Sequence, residues 1–496
     1  MRKAKIMCTI GPASAAPNIL DRLIEQGMNA ARLNFSHGTH ENHAAAIRAI
    51  RQSAARQGSA VAIIQDLQGP RIRIGRLPGG PVEMRAGQSV RLTTTLAHSG
   101  GQLGAQSLAA SPTTDIPVTY PYLARDVRPG ARVLINDGLV ELTVDRISGG
   151  LVECTVLVGG AIGSHKGINL PGTTVSSPTL TDKDRTDLRF GLEQGVDYVA
   201  LSFVRNSDDL AAARTFAAQW GAPPPLIAKI ERQEAITNLD AILEEADGVM
   251  IARGDLGVEL GPEAVPLLQK RIIAAANRRR RLVITATQML ESMTHHLRPT
   301  RAEASDVANA VFDGTDAVML SAETAVGAHP VETVQVMDRI VRAAEEGDGF
   351  GQTMESEANT KRLSIAEAIC TVAASAAEVT DARAIVAFTE SGRTARLISK
   401  RRPNAPIFAF TPSEAVHRQM ALYWGVIPRT MPYDDQPDRH LDEAEHRLAE
   451  QGFVNTGDRL VMVSGIRAGS SGGTNSLTLR VAGERSPRDP ENPPSA

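Results

Sequence analysis

Short apolar runs rich in Val, Ile and Ala recur along the chain between segments with helical spacing. Parallel strands buried under helices have near-continuous apolar sequences and are joined by crossover helices. Eight runs fit this description, at residues 5–10, 30–35, 60–65, 198–203, 226–230, 248–252, 282–286 and 317–320. The pattern predicts an α/β fold built on a (β/α)8 barrel of the TIM type.

Polar and charged side chains follow nearly every one of these runs. Examples are Asn34, Asp66, Glu231, Asp255 and Thr287. In a (β/α)8 barrel the chemistry lies at the carboxyl ends of the strands, where the strand-to-helix loops meet. The polar residues therefore predict a functional site at that end of the barrel.

Two segments break the βα rhythm and predict further domains. Residues 71–170 contain short β-like stretches with many Gly, Thr and Pro, which predicts an inserted small β-barrel that can swing as a lid on its two chain crossings. The catalytic barrel would then comprise residues 1–70 and 171–346, and new βα alternation predicts a C-terminal α/β domain at residues 347–483. Residues 484–496 carry four prolines and several charges, which predicts a disordered tail.

Composition narrows the class of protein. The 496 residues carry a formal charge of −3, which gives no electrostatic reason to expect nucleic acid or an anionic membrane as partner. Three widely separated cysteines favour a reduced cytoplasmic protein over a secreted one. No window approaches 18 uninterrupted apolar residues, so neither export nor a membrane span is expected.

Lys229, Glu231 and Asp255 form the first candidate site. Side chains alternate along a strand, so Lys229 and Glu231 project to the same side, and Asp255 follows the next run along the chain. Two carboxylates beside a fixed cation suit a divalent metal and a phosphate in transfer. A surface lysine, or a simple ion pair between Lys229 and Glu231, is the alternative reading.

The chain also resembles the pyruvate kinases in long strings that occur in order along nearly its whole length except the tail. The strings are CTIGPAS from Cys8, RLNFSHG from Arg32, HKGINLPG from His165, IAKIE from Ile227, ARGDLGVE from Ala252, TATQMLESM from Thr285, RPTRAEASDVANAV from Arg298, DGTDAVMLSAET from Asp313 and TESGRTARLISKRRP from Thr389. The resemblance implies transfer of a phosphoryl group from phosphoenolpyruvate to ADP, giving pyruvate and ATP in glycolysis. It also implies Mg²⁺ or Mn²⁺ as cofactor, a homotetramer and a cytoplasmic location.

Roles at the reacting centre follow from that resemblance. It implies that Lys229 holds the phosphoryl group and stabilises its developing charge, while Glu231 and Asp255 bind the metal. The backbone amides of Gly254 and Asp255, at a predicted helix start, would receive the substrate carboxylate. Thr287 would contact the same carboxylate and help to position the proton relay to the enolate carbon.

Further roles around the phosphate are implied in the same way. Ser321 and Glu323 would belong to the water network of the relay. Arg32 and Arg73 would clamp the phosphate, because guanidinium groups match phosphate oxygens with paired donors. The resemblance places the remaining nucleotide-binding residues, besides Arg73, near the ADP phosphates and in the lid: Asn34, His37, Lys166 and Asp137.

One string departs from the family pattern at the site where many pyruvate kinases bind K⁺. The equivalents of the K⁺ ligands here are Asn34, Ser36, Asp66 and Leu67, and a DTKGPEIRT-type string reads DLQGPRIRI, so a glutamate has become Arg71. Repulsion between two cations about 4 Å apart is worth several kcal/mol at an intermediate dielectric. The departure predicts that Arg71 takes the place of K⁺, which would not be required; a surface-facing Arg71 is the alternative.

A hydroxyl- and glycine-rich turn in the third domain is a candidate effector site. It comprises Thr389, Ser391, Gly392, Arg393 and Thr394, between a predicted strand and helix. Such a turn suits a phosphate, and the resemblance implies a sugar-phosphate or nucleotide effector there. An ordinary capped helix start explains the pattern equally well.

Two other classes of function remain open from the sequence. A metal-dependent lyase acting on enolpyruvate-like substrates could use a similar pair of carboxylates. A catalytically inactive sensor would keep the third domain and lose metal or lysine groups. ADP-dependent formation of pyruvate from phosphoenolpyruvate distinguishes the kinase from both.

Overall fold

The computed structural model describes residues 1–94, 114–347, 362–432, 437–465 and 473–484. The strands in these residues are β1 Lys5–Thr9, β2 Met28–Asn34, β3 Ala62–Asp66, β4 Ile72–Arg73, β5 Val82–Met84, β6 Ser89–Thr93, β7 Thr114–Pro117, β8 Arg132–Ile135, β9 Val140–Ser148, β10 Leu151–Val158, β11 Gly160–Ile162, β12 Gly167–Asn169, β13 Tyr198–Leu201, β14 Leu226–Ile230, β15 Gly248–Ala252, β16 Leu282–Ala286, β17 Ala317–Leu320, β18 Ala384–Phe388, β19 Ile407–Thr411, β20 Val426–Thr430, β21 Arg459–Gly465 and β22 Thr474–Val481.

The α-helices in the same residues are α1 Pro17–Glu25, α2 His40–Arg56, α3 Leu123–Asp126, α4 Asp182–Glu193, α5 Ser207–Ala217, α6 Gln233–Thr237, α7 Leu239–Glu245, α8 Arg253–Leu260, α9 Val265–Arg278, α10 Arg301–Phe312, α11 Ala322–Ala325, α12 Pro330–Glu345, α13 Ile365–Val379, α14 Arg393–Ser399, α15 Glu414–Met420 and α16 Pro437–Glu450. Three short 3₁₀ helices lie at Ala218–Trp220, Pro262–Ala264 and Glu291–Thr294. No helix in the described part of the chain is long and apolar enough to cross a membrane.

Eight parallel strands close into a barrel in the order β1-β17-β16-β15-β14-β13-β3-β2. They coincide with the eight apolar runs in the sequence, so the predicted barrel is confirmed. The apolar runs are buried because the barrel lumen covers one face and the helices cover the other. This architecture brings the carboxyl ends of all eight strands to one rim.

The inserted β domain has its own core. Seven strands pair in the order β4-β12-β8-β9-β10-β6-β7, and an isolated bridge between Ile74 and Val118 joins the two edge regions of this sheet. Residues such as Val90, Ile116 and Val133 are buried in a cluster drawn from this insertion, with Val175, just beyond it, as the one further member. The predicted inserted β domain is therefore present, close to the carboxyl rim of the barrel.

The C-terminal unit is a five-stranded sheet in the order β20-β19-β18-β21-β22, in which only β22 is antiparallel. The predicted C-terminal α/β fold is confirmed by this sheet and its helices. The exact domain boundaries stay a prediction. Residues 485–496 of the predicted tail lie outside the described residues.

The C-terminal unit packs against the amino end of the barrel. Barrel-lining residues such as Met7 and Ile227 belong to the same apolar cluster as Leu422 and Tyr423. At the first residue of β13, the Tyr198 hydroxyl donates a 2.8 Å hydrogen bond to the carbonyl of Gln419. The barrel is thus closed at its amino end, and the carboxyl rim faces the inserted β domain.

Candidate active site

Lys229 is the central cation of the carboxyl rim. Its Nζ lies 2.9 Å from Glu231 Oε1 and 3.3 Å from Asp66 Oδ1, and it donates a 2.7 Å hydrogen bond to Ser202 Oγ. The three partners come from strands β3, β13 and β14 or from the residues just after them, and all are at least 97% buried. Lys229 is therefore a buried, paired cation and not a surface lysine.

The charges in this cluster stabilise one another unequally. Burial opposes the charged form of Lys229, but Asp66 and Glu231 outweigh it and raise the lysine pKa. Burial likewise opposes ionisation of Asp66, yet Lys229 and Arg32 lower the pKa of that carboxyl. Burial, with Asp255 as a second negative charge, raises the pKa of Glu231 despite its contact with Lys229. Glu231 is thus the carboxylate whose charge has the least compensation.

Glu231 and Asp255 have oxygen atoms free for a metal. Glu231 Oε2 accepts a 2.7 Å hydrogen bond from the Phe203 amide, whereas its buried Oε1 has the Lys229 ion pair but no well-aligned hydrogen bond. Asp255 makes no hydrogen bond or ion pair with any described residue. No group of three or more His, Cys, Asp or Glu in the described ranges is arranged to hold a metal. Two carboxylates with further ligands from water and substrate are what Mg²⁺ ordinarily takes, so the residues fit that ion.

Thr287 stands beside the start of helix α8. Its backbone has a φ of +70°, which is costly for a β-branched residue and points to a constraint on this turn. The hydroxyl accepts a 2.8 Å hydrogen bond from the Gly254 amide and donates one of 2.6 Å to the Ala286 carbonyl. Arg253 holds the turn by donating to the Thr287 carbonyl at 2.8 Å. The Gly254 amide, expected to receive a substrate carboxylate, is thus bonded to Thr287 in this structure.

Four basic side chains lie on the other side of the rim. Arg32 donates to Asp66 Oδ2 at 2.6 Å and to Thr9 Oγ1 at 3.1 Å, so its guanidinium is fixed next to the Lys229 cluster. Arg73 donates to the His165 carbonyl at 2.8 Å. Burial, followed by the charges of Arg71, Arg73 and Arg32, lowers the pKa of His37. These groups create a positive environment suited to an anion.

The predicted equivalents of K⁺ ligands are only partly arranged as ligands. Asn34 Oδ1 accepts a 3.1 Å hydrogen bond from the Ser36 amide, and Leu67 is a buried apolar side chain. Asp66 is occupied by Lys229 and Arg32. Arg71 is exposed to solvent and lies near enough to His37 and Arg73 to influence both pKa values.

Ser321 and Glu323 follow the last barrel strand. Glu323 is fully buried, and its carboxylate accepts hydrogen bonds of 2.6 Å from the Ser321 amide and 3.1 Å from the Leu290 amide. Burial raises its pKa. The buried Ser321 hydroxyl has no hydrogen-bond partner in the described structure. This pair is therefore set up to interact with water or a ligand that the surrounding side chains do not provide.

The inserted domain adds Asp137 to a narrow cavity that also contains Asp255 and Arg71. Asp137 lies in a tight turn with a φ of +56° and is exposed. Lys166 is exposed next to strand β12 and does not line this cavity. Of the two predicted lid residues, Asp137 therefore shares a space with the barrel carboxylate in the conformation described.

The candidate effector turn lies at the end of β18. Gly392 has a φ of +76°, and a Cβ at this position would lie 3.4 Å from the Tyr423 ring, while Ser391 and Arg393 are exposed. Thr389 and Thr394 are buried, and the Thr394 hydroxyl bonds to that of Thr474 at 2.7 Å. Exposed and buried polar groups thus alternate at this turn, and helix α14 begins directly after Gly392.

Three features of the site were not predicted. Asp66 was assigned to a K⁺ site but is a partner of Lys229. Ser202 lies within the predicted strand run 198–203 and could have been found from side-chain alternation along that run. Arg253 was quoted within a string but given no role, although it holds the Thr287 turn and pairs with Asp306 at 2.7 Å.

Comparisons with known proteins agree along almost the full length. A family model described as pyruvate kinase, barrel domain, matches residues 1–334, and one described as pyruvate kinase, alpha/beta domain, matches residues 367–481. A pyruvate kinase of Geobacillus stearothermophilus is 44% identical over 97% of this chain and 80% of its own, and one of Sporosarcina psychrophila is 42% identical over 98% and 81%. The crystal structure of a pyruvate kinase from Cryptosporidium parvum superposes with a TM-score of 0.89 at 39% identity, over 97% of this chain and 96% of the other.

Proposed function

Because this chain belongs to the pyruvate kinase family of phosphotransferases, we propose that its barrel rim transfers the phosphoryl group of phosphoenolpyruvate to ADP in glycolysis, with Mg²⁺. One observation carries the proposal. A buried ammonium, Lys229, lies between two carboxylates at the carboxyl ends of barrel strands, beside a carboxylate oxygen that lacks a hydrogen bond.

Substrate binding uses the two sides of the rim. Arg32 is held by Asp66 and presents its remaining guanidinium donors to the phosphate, and Arg73 does the same from strand β4. The carboxylate of phosphoenolpyruvate lies at the start of helix α8, where the amides of Gly254 and Asp255 carry the positive end of the helix dipole. Thr287 moves its hydroxyl from the Gly254 amide to the substrate carboxylate.

Glu231 and Asp255 would hold the divalent metal, Mg²⁺ or Mn²⁺. The bound ion would supply positive charge beside the phosphate and the enolate oxygen. The unsatisfied Oε1 of Glu231 and the unpaired carboxylate of Asp255 are the donors that fit it.

Lys229 stabilises the transferring group. The phosphoryl group leaves the enol oxygen of phosphoenolpyruvate and is attacked by a terminal β-phosphate oxygen of ADP, so one phosphorus–oxygen bond breaks and another forms. The Lys229 ammonium is fixed by three contacts before the reaction, so little reorganisation is needed to meet the developing charge. The enolate then takes a proton at carbon, relayed by water ordered by Thr287 and Ser321.

The nucleotide lies between the barrel and the inserted domain. Asn34 and His37 approach it from strand β2 and the following turn, and Asp137 and Lys166 approach from the lid. Closure of the lid excludes water from the phosphoryl donor, which prevents hydrolysis. The positive environment around His37 supports this placement of the ADP phosphates.

Activity without K⁺ belongs to the same proposal. Arg71 supplies a positive charge near Arg73 and His37, and Asp66, a K⁺-ligand equivalent, is paired with Lys229 and Arg32. We expect full turnover in a buffer whose only monovalent cation is tetramethylammonium. Turnover that appears only after K⁺ is added would contradict this part.

The decisive experiment follows pyruvate formation from phosphoenolpyruvate with and without ADP in Mg²⁺ buffer. Pyruvate that depends on ADP, with an equal amount of ATP, supports the kinase. Release of pyruvate at the same rate without ADP supports the lyase. Binding of ligands without turnover supports the inactive sensor.

Assembly, location and regulation complete the proposal. We place the enzyme in the cytoplasm as a homotetramer, with a sugar-phosphate or nucleotide effector at the turn of Thr389, Ser391, Gly392, Arg393 and Thr394. Light scattering after size-exclusion chromatography tests the tetramer. Activation of wild type but not of Ser391→Glu by a panel of sugar phosphates and AMP tests the turn, because a carboxylate there repels phosphate.

A further inference from the structure

A second cleft lies between the barrel and the C-terminal unit, away from the carboxyl rim. It has a volume of about 690 Å³ and is lined on the barrel side by helix α2 and the segment up to Val61, and on the other side by α15, β20 and α16. We call it the interdomain cleft. Pockets for small molecules have volumes of this order. None of the residues of the proposed effector turn lines it.

Arginine dominates the charge of the interdomain cleft. Arg51, Arg418, Arg429 and Arg447 all line it, and Glu414 is the one acidic residue in the lining. Arginine stays protonated at any physiological pH and offers a planar fork of donors that matches phosphate oxygens.

The acidic side chains that contact these arginines do not neutralise their positive charge. Asp197 is shared, since Arg51 reaches its Oδ2 at 2.7 Å and Arg418 its Oδ1 at 2.8 Å. Arg447 pairs with an exposed glutamate on its own helix, Glu443, at 2.6 Å. Two arginines therefore have one carboxylate between them, which leaves a surplus of positive charge.

Arg429 is the least compensated of the four. It is half-buried, and among the described residues its guanidinium donates only to neutral oxygens, the Pro428 carbonyl at 3.0 Å and Gln451 Oε1 at 3.2 Å. It lies over the Phe453 ring at 5.7 Å and forms no ion pair within the described residues. Burial lowers its pKa, which shows that its charge is partly removed from water without a counter-charge.

Other groups facing Arg429 do not change this balance. His417 lines the same wall, and burial lowers its pKa, so the ring is neutral at pH 7. Glu414 is exposed and its nearest oxygen is 3.9 Å from His417. Val61, Phe410 and Leu448 contribute apolar surface between the basic groups.

We propose that the interdomain cleft binds the phosphate monoester of a small metabolite. The phosphate dianion pairs with Arg429 and with the arginines that share Asp197, and the rest of the ligand lies against the apolar wall. A sugar phosphate and a nucleoside monophosphate share this chemistry. The site is independent of the catalytic rim and of the turn at Thr389.

Calorimetric titration of the full-length protein tests the proposal, with inorganic phosphate, ribose 5-phosphate and AMP as probes and ribose and adenosine as unphosphorylated controls. All proteins carry Ser391→Glu and are saturated with phosphoenolpyruvate and Mg²⁺, which removes phosphate binding at the turn and at the rim. We expect at least one phosphate ester to bind with a dissociation constant below about 1 mM, and neither control to bind. The probes that bind separate a sugar phosphate from a nucleotide as the preferred class.

Matched variants assign that binding to the cleft. Arg429→Gln should weaken it about tenfold, because a charge-assisted bidentate contact is lost. Arg447→Gln, at a more exposed position, gives a second measurement if Arg429→Gln is poorly folded. Arg383→Gln is the control, because it removes the same charge at a position outside the cleft. Arg383 also contacts Phe453, since its Nε donates a 3.0 Å hydrogen bond to the Phe453 carbonyl.

Three results would overturn the inference. They are the absence of binding by every phosphate probe, binding of ribose or adenosine as tight as that of their phosphates, and equal affinity in the Arg429→Gln, Arg447→Gln and Arg383→Gln proteins. Weaker binding in the cleft variants alone supports it.

Discussion

Replacing Lys229 by methionine removes the central cation of the rim with little change in side-chain length. The ammonium has contacts of 2.7, 2.9 and 3.3 Å with Ser202, Glu231 and Asp66, and the side chain is about as buried as its partners. Methionine fills the space but leaves both carboxylates without this counter-charge. The substitution therefore tests the stability of the rim and the chemistry proposed for it together.

The magnitude follows from what remains after the substitution. Breaking a buried ion pair by removing one partner costs about 3–5 kcal/mol of stability. Asp66 keeps Arg32 at 2.6 Å, but Glu231 keeps no cation among the described residues, so we expect a loss within this range, about 3–5 kcal/mol. Loss of one preorganised charge at a developing negative charge reduces kcat by at least about 10²–10³-fold.

Two assays separate these effects. Urea unfolding gives the free energy of unfolding, and pyruvate formation coupled to lactate dehydrogenase gives kcat at temperatures where the variant is folded. Lys270→Met is the matched control, because Lys270 is exposed and its largely buried partner Asp313 keeps a 3.0 Å hydrogen bond from Gln269 Nε2. We expect a smaller loss of stability than in Lys229→Met. The kcat of Lys270→Met should be unchanged.

The reasoning would be refuted by a Lys229→Met protein that keeps kcat within about tenfold of wild type. It would also fail if the free energy of unfolding fell no further than in Lys270→Met. In that case the ion pairs of Lys229 with Glu231 and Asp66 would make no net contribution to stability.

Three further predictions concern the same rim. Thr287→Ser should retain most of kcat and Thr287→Val should lose about tenfold or more, since only serine keeps the hydroxyl that reaches the Gly254 amide; equal rates would exclude a role for the hydroxyl. Because burial and Asp255 raise the pKa of Glu231 above its usual 4.5, protons should compete with Mg²⁺ at a higher pH than at an ordinary glutamate, so calorimetric Mg²⁺ affinity should fall as the pH is lowered, and more steeply than in Glu231→Gln. Arg71→Glu should make turnover respond to K⁺, whereas Arg76→Glu, a neighbouring exposed arginine, should not; an equal response in both would assign the effect to net charge.

The sequence predicts the barrel well because each of its strands is buried on both faces and is therefore an uninterrupted apolar run. Alternation along β14 is also enough to place Lys229 and Glu231 on one side. The partnership with Asp66 and Ser202 depends on which strands become neighbours when the barrel closes, since β3 precedes β13 by a whole inserted domain. The local sequence pattern does not show that β3 and β13 become neighbours.

The Thr287 turn shows a second limit. A β-branched residue is disfavoured at φ of +70°, so propensity argues against the conformation that the site uses. Arg253 and the Gly254 amide maintain it through hydrogen bonds from a neighbouring strand end. The strain is thus sustained by tertiary contacts that no single stretch of sequence reveals.

The shared apolar core between the barrel lumen and the C-terminal unit restricts how this molecule can move. Separating the two would expose Leu422 and Tyr423 together with the lining of the barrel floor, whereas the core of the inserted domain shares only Val175 with the segment that follows it and can pivot with little exposure of apolar surface. Large-amplitude motion should therefore be confined to the lid, and the barrel and C-terminal unit should tilt as one rigid body.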